Sequence, residues 1–399
     1  MDRIYHGILR EHLRNHRQMA FLAGPRQVGK TTAALDVVAR EHYLNWDRRA
    51  DARRIAAGPD AVAEALNLRE LRAAPLPVAF DELHKFGRWK GFLKGFFDTY
   101  EAQCRIVVTG SARLNVYKRG GDSLLGRYFP YRMHPLSLRE LGDATVPQQP
   151  VRPPCRPADG ALAQLLRYGG FPEPFLKASP TFHARWARLR GELLLREDVR
   201  DLTAIHELGQ LSVLAQLIEA MSGQLVNYSN LASEVGVSVV TAQRWVAALE
   251  SLCFCFTVRP WFRNVAKSLR KQPKVFLWDW SIVPDAGARR ETLVAMHLLK
   301  AVNLWEDLGW GRFALHYLRD KAQREVDFVV VRDQQPWFLV EVKSSGQRPL
   351  NPNLAYFQGQ TGAAQAFQVA FDMPYVEQDC FAATAPIRVP AATFLSQLV

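Results

Sequence analysis

The chain has 399 residues, of which 48% are apolar, so it is long enough for two or three domains that each bury a core. With 51 Lys and Arg against 39 Asp and Glu, its formal net charge is +12, which favours an acidic partner such as nucleic acid. The five cysteines lack zinc-site spacing, and neither a signal peptide nor an apolar run of about 18 residues is evident. We therefore expect a cytoplasmic protein with no membrane partner.

The first predicted strand, residues 19–23, leads into a helix through a glycine-containing loop. The loop and the first turn of the helix read Gly24-Pro25-Arg26-Gln27-Val28-Gly29-Lys30-Thr31-Thr32. This is the GxxxxGK[ST] phosphate-binding pattern in its strand-to-helix setting, and the alternative is a glycine turn that matches by chance. The two glycines let backbone N–H groups surround phosphates, Lys30 would reach the β- and γ-phosphates, and the Thr31 hydroxyl would hold Mg²⁺. The pattern predicts ATP and Mg²⁺ as cofactors.

A second apolar strand, residues 76–80, runs directly into Asp81 and Glu82. After a phosphate-binding loop, such a pair is typical of the acidic partner of a nucleotide hydrolase. Asp81 would bind Mg²⁺, directly or through water, and Glu82 would act in catalysis by polarising the attacking water. The alternative is a solvated strand end.

A third strand, residues 105–109, brings two hydroxyls to the same predicted edge. We expect Thr109 and Ser111 to sense the γ-phosphate, against the alternative of a plain Thr-Gly-Ser turn. Arg127 is a candidate arginine finger or sensor, because a guanidinium stabilises charge on the phosphoryl group. If Arg127 acts in trans, the protein must be a homo-oligomer.

The segment 146–160 carries five prolines among polar residues and is predicted to be a linker. Helices are expected over residues 161–225. Helix caps at Ser229 and Ser238, with a turn at Gly236, then predict a helix-turn-helix within residues 226–275.

Nucleic-acid binding by this region is predicted from two features. The second helix of the helix-turn-helix would present Thr241, Gln243 and Arg244 to a DNA groove, with an interdomain adapter as the alternative. Residues 259–274 interleave basic and aromatic side chains and contain no acid, which suits a stacking surface or a solvated wing. DNA is therefore the predicted macromolecular partner.

A second group of chemically informative residues lies near the carboxyl end. Asp327 falls on one predicted strand, and Glu341 and Lys343 share a face of the next. The two carboxylates could hold a second divalent ion, Mg²⁺ or Mn²⁺, while Lys343 steadies a water or the scissile phosphate. The alternative is a hydrated strand end or an inactive scaffold. This D…ExK arrangement resembles the PD-(D/E)xK nuclease superfamily, a resemblance that implies a further acidic residue at Glu291.

Five motifs extend the resemblance to most of the chain: GPRQVGKTT, FDELHKF, VTGSARL, SLLGRYFPYRMHPLSLREL and YGGFPEP. Together they resemble prokaryotic AAA-type ATPases of the archaeal-ATPase-like group that carry a C-terminal domain of unknown function. The resemblance implies an additional-strand, catalytic-glutamate ATPase core followed by a winged helix and a nuclease-like module. Trp280 departs from the Thr-Gly-Leu-like continuation that is typical after the aspartate.

The predicted fold class is α/β, with a parallel-sheet phosphate-loop NTPase, a helical and winged-helix region, and a restriction-endonuclease-like α/β domain. The predicted boundaries are 1–145 for the ATPase, 146–160 for the linker, 161–225 for the helices, 226–275 for the winged helix and 276–399 for the nuclease-like domain. The predicted function is Mg²⁺-dependent ATP hydrolysis that controls the conformation of a DNA-associated module. Two alternatives remain, an ATP-controlled scaffold with an inactive nuclease-like fold and an ATP-gated, metal-dependent nuclease.

Overall fold

The computed structural model divides into two compact units, which are described separately below. The residues that it describes are 1–110, 124–195, 207–263 and 271–399. The first unit comprises residues 1–134 and 144–146, and the second comprises residues 135–143 and 147–399.

The first unit is a five-stranded sheet with helices. Its strands are β1 (Met19–Ala23), β2 (Tyr43–Asn45), β3 (Leu76–Asp81), β4 (Cys104–Gly110) and β5 (Tyr128–Arg132). Its helices are α1 (Ile4–Asn15), α2 (Lys30–Val37), α3 (Arg49–Ala57), α4 (Pro59–Ala65) and α5 (Trp89–Tyr100).

All pairings in this sheet are parallel, and the strand order is β2-β3-β4-β1-β5. Strand β4 therefore lies between the strand that precedes the phosphate-binding loop and the strand that ends in Asp81. This is the additional strand that the resemblance implied, and it confirms the predicted phosphate-loop NTPase fold. Because parallel strands end at one edge, the loop, Asp81 and Thr109 meet there.

The core of the first unit explains why these strands are nearly continuous apolar runs. Side chains from β1, β3 and β4 form one buried cluster with the aromatic face of α5, in which Phe80 meets Phe92 and Phe96 edge to face. The alternate residues of these strands face the other side of the sheet and are buried as well, as expected for a parallel sheet covered on both sides.

The second unit contains the remaining elements. Its helices are α6 (Leu138–Gly142), α7 (Ala161–Tyr168), α8 (Pro172–Lys177), α9 (Pro180–Leu193), α10 (Leu208–Ala220), α11 (Tyr228–Val235), α12 (Val239–Ser251), α13 (Ala286–Asp307), α14 (Pro352–Thr361) and α15 (Ala391–Ser396). Its strands are β6 (Cys255–Pro260), β7 (Lys274–Leu277), β8 (Phe313–Arg319), β9 (Glu325–Arg332), β10 (Gln335–Lys343), β11 (Gln365–Ala370) and β12 (Ile387–Pro390).

These strands form one mixed sheet in the order β12-β11-β10-β9-β8-β6-β7. The pairs β8–β9, β9–β10 and β6–β7 are antiparallel, whereas β10–β11, β11–β12 and β6–β8 are parallel. The α/β class predicted for this part of the chain is confirmed. The sequence boundary at 275/276 falls inside strand β7, so the sheet includes strands from both sides of it.

The predicted helix-turn-helix forms α11 and α12, with Gly236 in the left-handed region between them at φ 74°. Ser238 caps α12 as predicted, because its side chain accepts the Thr241 N–H. The predicted cap at Ser229 is wrong. Asn227 caps α11 instead and accepts the Ser229 N–H, since the helix begins two residues earlier than expected.

The segment predicted to be a linker bonds to the second unit from residue 147 onward. The Arg152 N–H donates to the Gln397 carbonyl at 2.9 Å, and the Gln397 side chain donates back to the Arg152 carbonyl at 3.2 Å. The Arg152 guanidinium also meets Asp143 at 2.6 Å. This proline-rich segment is therefore hydrogen-bonded to the rest of the second unit.

Candidate nucleotide site

The loop between β1 and α2 needs glycine at both ends for different reasons. A Cβ added to Gly24 would lie 2.4 Å from the Met133 carbonyl oxygen, so no side chain fits there. Gly29 has φ 104°, a left-handed conformation that L side chains rarely adopt. Gln27 adopts φ 63°, which completes the tight curl. The loop backbone is thereby wrapped around the start of α2.

Lys30 points into this loop and is buried. Its ammonium donates to the carbonyls of Gly24 at 3.0 Å and Pro25 at 2.6 Å. The Arg3 guanidinium donates to the carbonyl of the loop residue Val28 at 3.0 Å and to that of His134 at 2.7 Å. Two cationic side chains thus hold the loop. When a phosphate binds, its oxygens would accept the hydrogen bonds that Lys30 now donates to the two carbonyls.

Asp81 is the centre of the polar network beside the loop. Its Oδ2 atom accepts the Thr31 hydroxyl at 3.1 Å, and its Oδ1 atom accepts the Thr109 hydroxyl at 2.5 Å. A hydroxyl that donates its one proton keeps its oxygen lone pairs, so Thr31 can still act as a metal ligand. The structure therefore brings together the two residues predicted to hold Mg²⁺.

Strand β2 contributes two further donors to the same carboxylate. The Tyr43 phenol and the Asn45 amide, the latter at 3.3 Å, both donate to Oδ2 of Asp81. Burial raises the pKa of Tyr43, and the hydrogen bond to Asp81 raises it further, so the phenol keeps its proton. We had not predicted either residue. The sequence does not show which strand lies beside β3, and the structure pairs Asn45 with Asp81.

The role predicted for Thr109 needs correction. Thr109 is fully buried, and its hydroxyl is committed to Asp81, so it orients the carboxylate instead of facing a γ-phosphate. Ser111, the second predicted sensor, lies outside the described residues.

Glu82 follows Asp81 in a left-handed conformation with φ 55°, which turns its side chain out of the strand direction. Its carboxylate contacts the Lys85 ammonium at 3.1 Å, and Lys85 also binds Asp47 at 2.6 Å. Burial opposes the charge of Lys85, but its hydrogen bond to Asp47 and the charge of Glu82 outweigh burial and raise its pKa. Lys85 was not predicted, and it restrains Glu82.

Arg127 does not join this cluster. Its carbonyl accepts the Met19 N–H at 2.8 Å, at the start of β1, whereas the loop follows the end of β1. The two ends of β1 are four residue steps apart, which is a distance of about 13 Å. The guanidinium is paired with Asp98, at 2.6 Å from Nε and 2.9 Å from Nη2. The structure therefore does not place Arg127 at the nucleotide site of its own subunit, although the sequence had suggested that position.

The second predicted cluster, in the second unit, contains a residue that we had not predicted. Lys274, at the start of β7, is 5% exposed, and its ammonium lies 2.7 Å from Glu325, 3.2 Å from Glu291 and 3.7 Å from Asp327. Burial and the charge of Asp327 raise the pKa of Glu291 above its usual range, and the neighbouring Lys274 opposes that rise.

The predicted residues Glu341 and Lys343 lie beside this group. The Lys343 ammonium meets Glu341 Oε1 at 2.5 Å, and the Asn351 amide donates to the same atom at 2.8 Å. Glu341 Oε2 accepts the Asp327 N–H at 3.4 Å, while Asp327 Oδ2 accepts the Val342 N–H at 2.8 Å. The structure thus brings Glu291, Asp327, Glu341 and Lys343 together.

The arrangement does not fit the predicted second metal. Mg²⁺ and Mn²⁺ need several oxygen atoms that converge on one point at about 2.0–2.2 Å, but here the carboxylates converge on an ammonium. In the part of the chain that the structure describes, no three His, Cys, Asp or Glu are arranged to hold a metal ion. The expectation of a divalent ion between Asp327 and Glu341 is therefore corrected.

Comparison with protein families agrees with the first site. The family model described as an AAA domain matches residues 16–142, which include the loop, Asp81 and Glu82. This part of the chain is an AAA-type ATPase domain. The match supports ATP binding and hydrolysis. Two models described as domains of unknown function, DUF8612 and DUF4143, match residues 159–291 and 286–373.

Relatives that match most of the chain exist among curated proteins. An uncharacterized protein of Mycobacterium bovis and one of Mycobacterium tuberculosis are each 24% identical to it over 328 residues, which span 80% of this chain and 69% of theirs. Among solved structures, Cdc6p of Pyrobaculum aerophilum covers 72% of this chain and 91% of its own at 13% identity, with a TM-score of 0.26. A STAND-type signal transduction ATPase of Pyrococcus horikoshii covers 75% of this chain and 45% of its own at 12% identity, with a TM-score of 0.23. At these TM-scores the likeness supports no conclusion.

The AAA domain has donors and ligands that fit a magnesium nucleotide. The glycine loop, where a side chain at Gly24 would collide, can surround phosphates, and Lys30 lies at its centre. The oxygen of Thr31 and the carboxylate of Asp81 are hard ligands of the kind that Mg²⁺ prefers. Among the helices in the described ranges, none combines the length and the apolar character needed to cross a bilayer.

Proposed function

We propose that the protein is a Mg²⁺-dependent ATP hydrolase. The observation that carries this proposal is the 3.1 Å hydrogen bond from the helix residue Thr31 to Asp81, immediately before Glu82. It joins a candidate metal ligand from the loop to one from the acidic strand. The phosphates would be bound by Gly24, Pro25, Arg26, Gln27, Val28, Gly29, Lys30, Thr31 and Thr32, with Ser111 kept as a candidate contact.

In this proposal the chain contributes position and charge. Lys30 exchanges its two loop carbonyls for phosphate oxygens, and Thr31 and Asp81 hold Mg²⁺. Glu82 accepts a hydrogen bond from the attacking water and polarises it. Lys85 limits the positions that the Glu82 carboxylate can take. These groups are fixed before the reaction, so little reorganisation accompanies it.

Two substitutions separate binding from hydrolysis. Lys30→Ala should abolish binding of a fluorescent ATP analogue, because it removes the central cation. Glu82→Gln should retain binding and slow hydrolysis by about 10²–10⁴-fold, the usual contribution of a general base. Lys94→Ala, an exposed lysine of α5 outside the loop, is the control. ATP turnover at the wild-type rate in both test variants would refute the proposal.

We further propose that ATP hydrolysis controls a DNA-associated second unit. A groove of about 880 Å³ there is lined by aromatic and basic side chains, including Trp261, Arg263, Lys271, Arg319 and Tyr356. Aromatic faces stack on bases and basic groups follow the phosphate backbone, so this lining suits single-stranded nucleic acid. The groove extends the basic stretch that suggested DNA from the sequence.

DNA association is tested by two measurements on the full chain. ATP turnover is measured with and without single-stranded DNA, and binding of a labelled oligonucleotide is measured over a range of salt concentrations. Lys271→Glu should weaken binding and reduce its salt dependence, because a phosphate contact is lost. Lys177→Glu, an exposed lysine elsewhere in the unit, should leave binding unchanged. Equal binding by both variants would exclude the groove.

A binding platform with an inactive nuclease-like fold is a second candidate for the same unit. It is favoured because the oxygens of Asp327 and Glu341 are already bonded to protein groups. Cleavage of DNA or RNA that requires Mg²⁺ or Mn²⁺ and disappears in Lys343→Ala would instead establish an ATP-gated nuclease. A cytoplasmic location and assembly into a homo-oligomer remain part of the proposal, and all five cysteines are free thiols.

A further inference from the structure

Strand β7 has one face toward the carboxylate cluster and the other toward the helices of the second unit. Lys274 and Phe276 alternate with Val275 and Leu277, as strand geometry requires. Val275 and Leu277 belong to the apolar core formed with α10, α11 and α12. Phe276 packs against Phe328 of β9, with ring centroids 5.5 Å apart. The position of the Lys274 backbone is therefore fixed by packing on both faces.

The Lys274 ammonium is the point on which acidic side chains from two elements converge. Glu291 comes from α13, and Glu325 and Asp327 come from alternate positions of β9. Burial lowers the pKa of Lys274, but the charges of Glu291, Asp327 and Glu325 outweigh burial and raise it above its usual range. The side chain thus carries a full positive charge inside the protein.

We infer that the Lys274 ammonium takes the place of a divalent cation, so that the carboxylate cluster of the second unit is complete without metal. Three carboxylates of the kind that coordinate Mg²⁺ or Mn²⁺ surround one protein cation at salt-bridge distances. An ion and the ammonium cannot share this position, because both are positive and both need the same oxygens. A cluster that holds its own cation is independent of the metal supply.

An ordinary structural ion pair makes a different prediction. If Lys274 only neutralised nearby acids, its removal would leave buried, unpaired carboxylates that no metal ion could rescue. If it occupies a cation position, its removal should create a metal site. Binding of metal by a Lys274 variant therefore separates the two explanations, and ATP hydrolysis is not needed as a readout.

The experiment measures Mn²⁺ binding by electron paramagnetic resonance to the nucleotide-free full chain. Wild type and Asp327→Asn should bind Mn²⁺ equally and weakly. Lys274→Met should gain one site whose affinity exceeds that of wild type by more than about a hundredfold, because a unit charge within about 4 Å of the ion is removed. The gain should disappear in the double variant Lys274→Met/Asp327→Asn. Lys271→Met, an exposed lysine three residues away, is the matched control.

Two results would overturn the inference. One is Mn²⁺ binding by wild type at a site that Asp327→Asn removes, and the other is a folded Lys274→Met that gains no Mn²⁺. If Lys274→Met fails to fold in metal-free buffer, its refolding yield is compared with and without Mn²⁺. Recovery by Mn²⁺ that requires Asp327 supports the inference, and failure to recover contradicts it.

Discussion

The phenol of Tyr43 donates a hydrogen bond to Oδ2 of Asp81, the same atom that accepts the Thr31 hydroxyl. The two donors come from different elements, Tyr43 from β2 and Thr31 from α2. Asp81 is therefore oriented by neighbours that the motif pattern does not include. The position of the Asp81 carboxylate in the proposed metal site depends on these neighbours.

Replacing Tyr43 by Phe removes one of these donors and keeps the ring. Because a hydrogen bond to a charged group contributes about 1.5–3 kcal/mol, we expect the Mg²⁺ concentration for half-maximal ATP hydrolysis to rise about tenfold. The measurement is a Mg²⁺ titration of ATP turnover. Tyr375→Phe is the control, since the buried Tyr375 hydroxyl has no hydrogen-bond partner among the residues that the structure describes. An unchanged Mg²⁺ requirement in Tyr43→Phe would contradict this interpretation.

Gly24→Ala should abolish ATP binding, because the new methyl group would lie 2.4 Å from the Met133 carbonyl oxygen and displace the loop. Gly91→Ala provides a matched control. Gly91 lies in α5 with open space around it, so the same substitution should leave binding intact and stabilise the fold by about 0.5–1 kcal/mol. Isothermal titration with ATP and a thermal melt check both. Wild-type affinity in Gly24→Ala would show that the loop adapts.

Arg127→Ala should leave ATP affinity unchanged and turnover within about threefold of wild type, because Arg127 pairs with Asp98 at the far edge of the sheet. Turnover is measured at several protein concentrations. A loss of about 10³-fold, the size expected of an arginine finger, would instead place Arg127 at a neighbouring subunit's nucleotide. Recovery of activity on mixing Arg127→Ala with Lys30→Ala would then identify the shared site.

The stability of the second unit should fall in acid because of His297. Burial lowers the pKa of His297 from 6.5 to about 4, and both ring nitrogens are bonded, to the Leu138 N–H and the Leu293 carbonyl. Between these two values the unfolded chain binds a proton that the folded chain does not. The free energy of unfolding attributable to this group is therefore fully present above pH 6.5 and falls by up to about 3 kcal/mol as the pH approaches 4.

Urea denaturation of His297→Asn and wild type across this range tests the effect. The variant should be less stable at neutral pH, and the difference between the two proteins should shrink toward pH 4. His42→Asn, at a partly exposed position, should follow the wild-type curve. A constant difference between His297→Asn and wild type at every pH would exclude His297 as the cause.

The residues of the proposed nucleotide site could be selected from the sequence because they fall in two short patterns, which are separated by about fifty residues. A loop of fixed spacing and an acidic strand end locate Lys30, Thr31, Asp81 and Glu82, and parallel strands bring them to one edge. The contacts of Tyr43 and Lys85 were not predictable in this way. They depend on which strand lies beside β3 and on the left-handed turn at Glu82, and both are set by tertiary packing.

The second cluster shows a different limit. Spacing alone selected Asp327, Glu341 and Lys343, and the structure does bring them together. The pattern cannot reveal that Lys274, more than fifty residues upstream of Asp327, reaches the same place. Its basic and aromatic surroundings in sequence instead suggested a nucleic-acid surface. A buried lysine and an exposed lysine are identical in a sequence pattern.

Strands β6 and β7 have a consequence for how this protein can be divided or recombined. One domain of unknown function ends at residue 291 and the other begins at residue 286, yet the sheet crosses that junction and β7 supplies the cation of the carboxylate cluster. A fragment that starts at residue 276 would lose β6, half of β7 and the Lys274 charge that neutralises the acidic cluster. The two matched domains therefore form one structural unit, and recombination between homologues should keep them together.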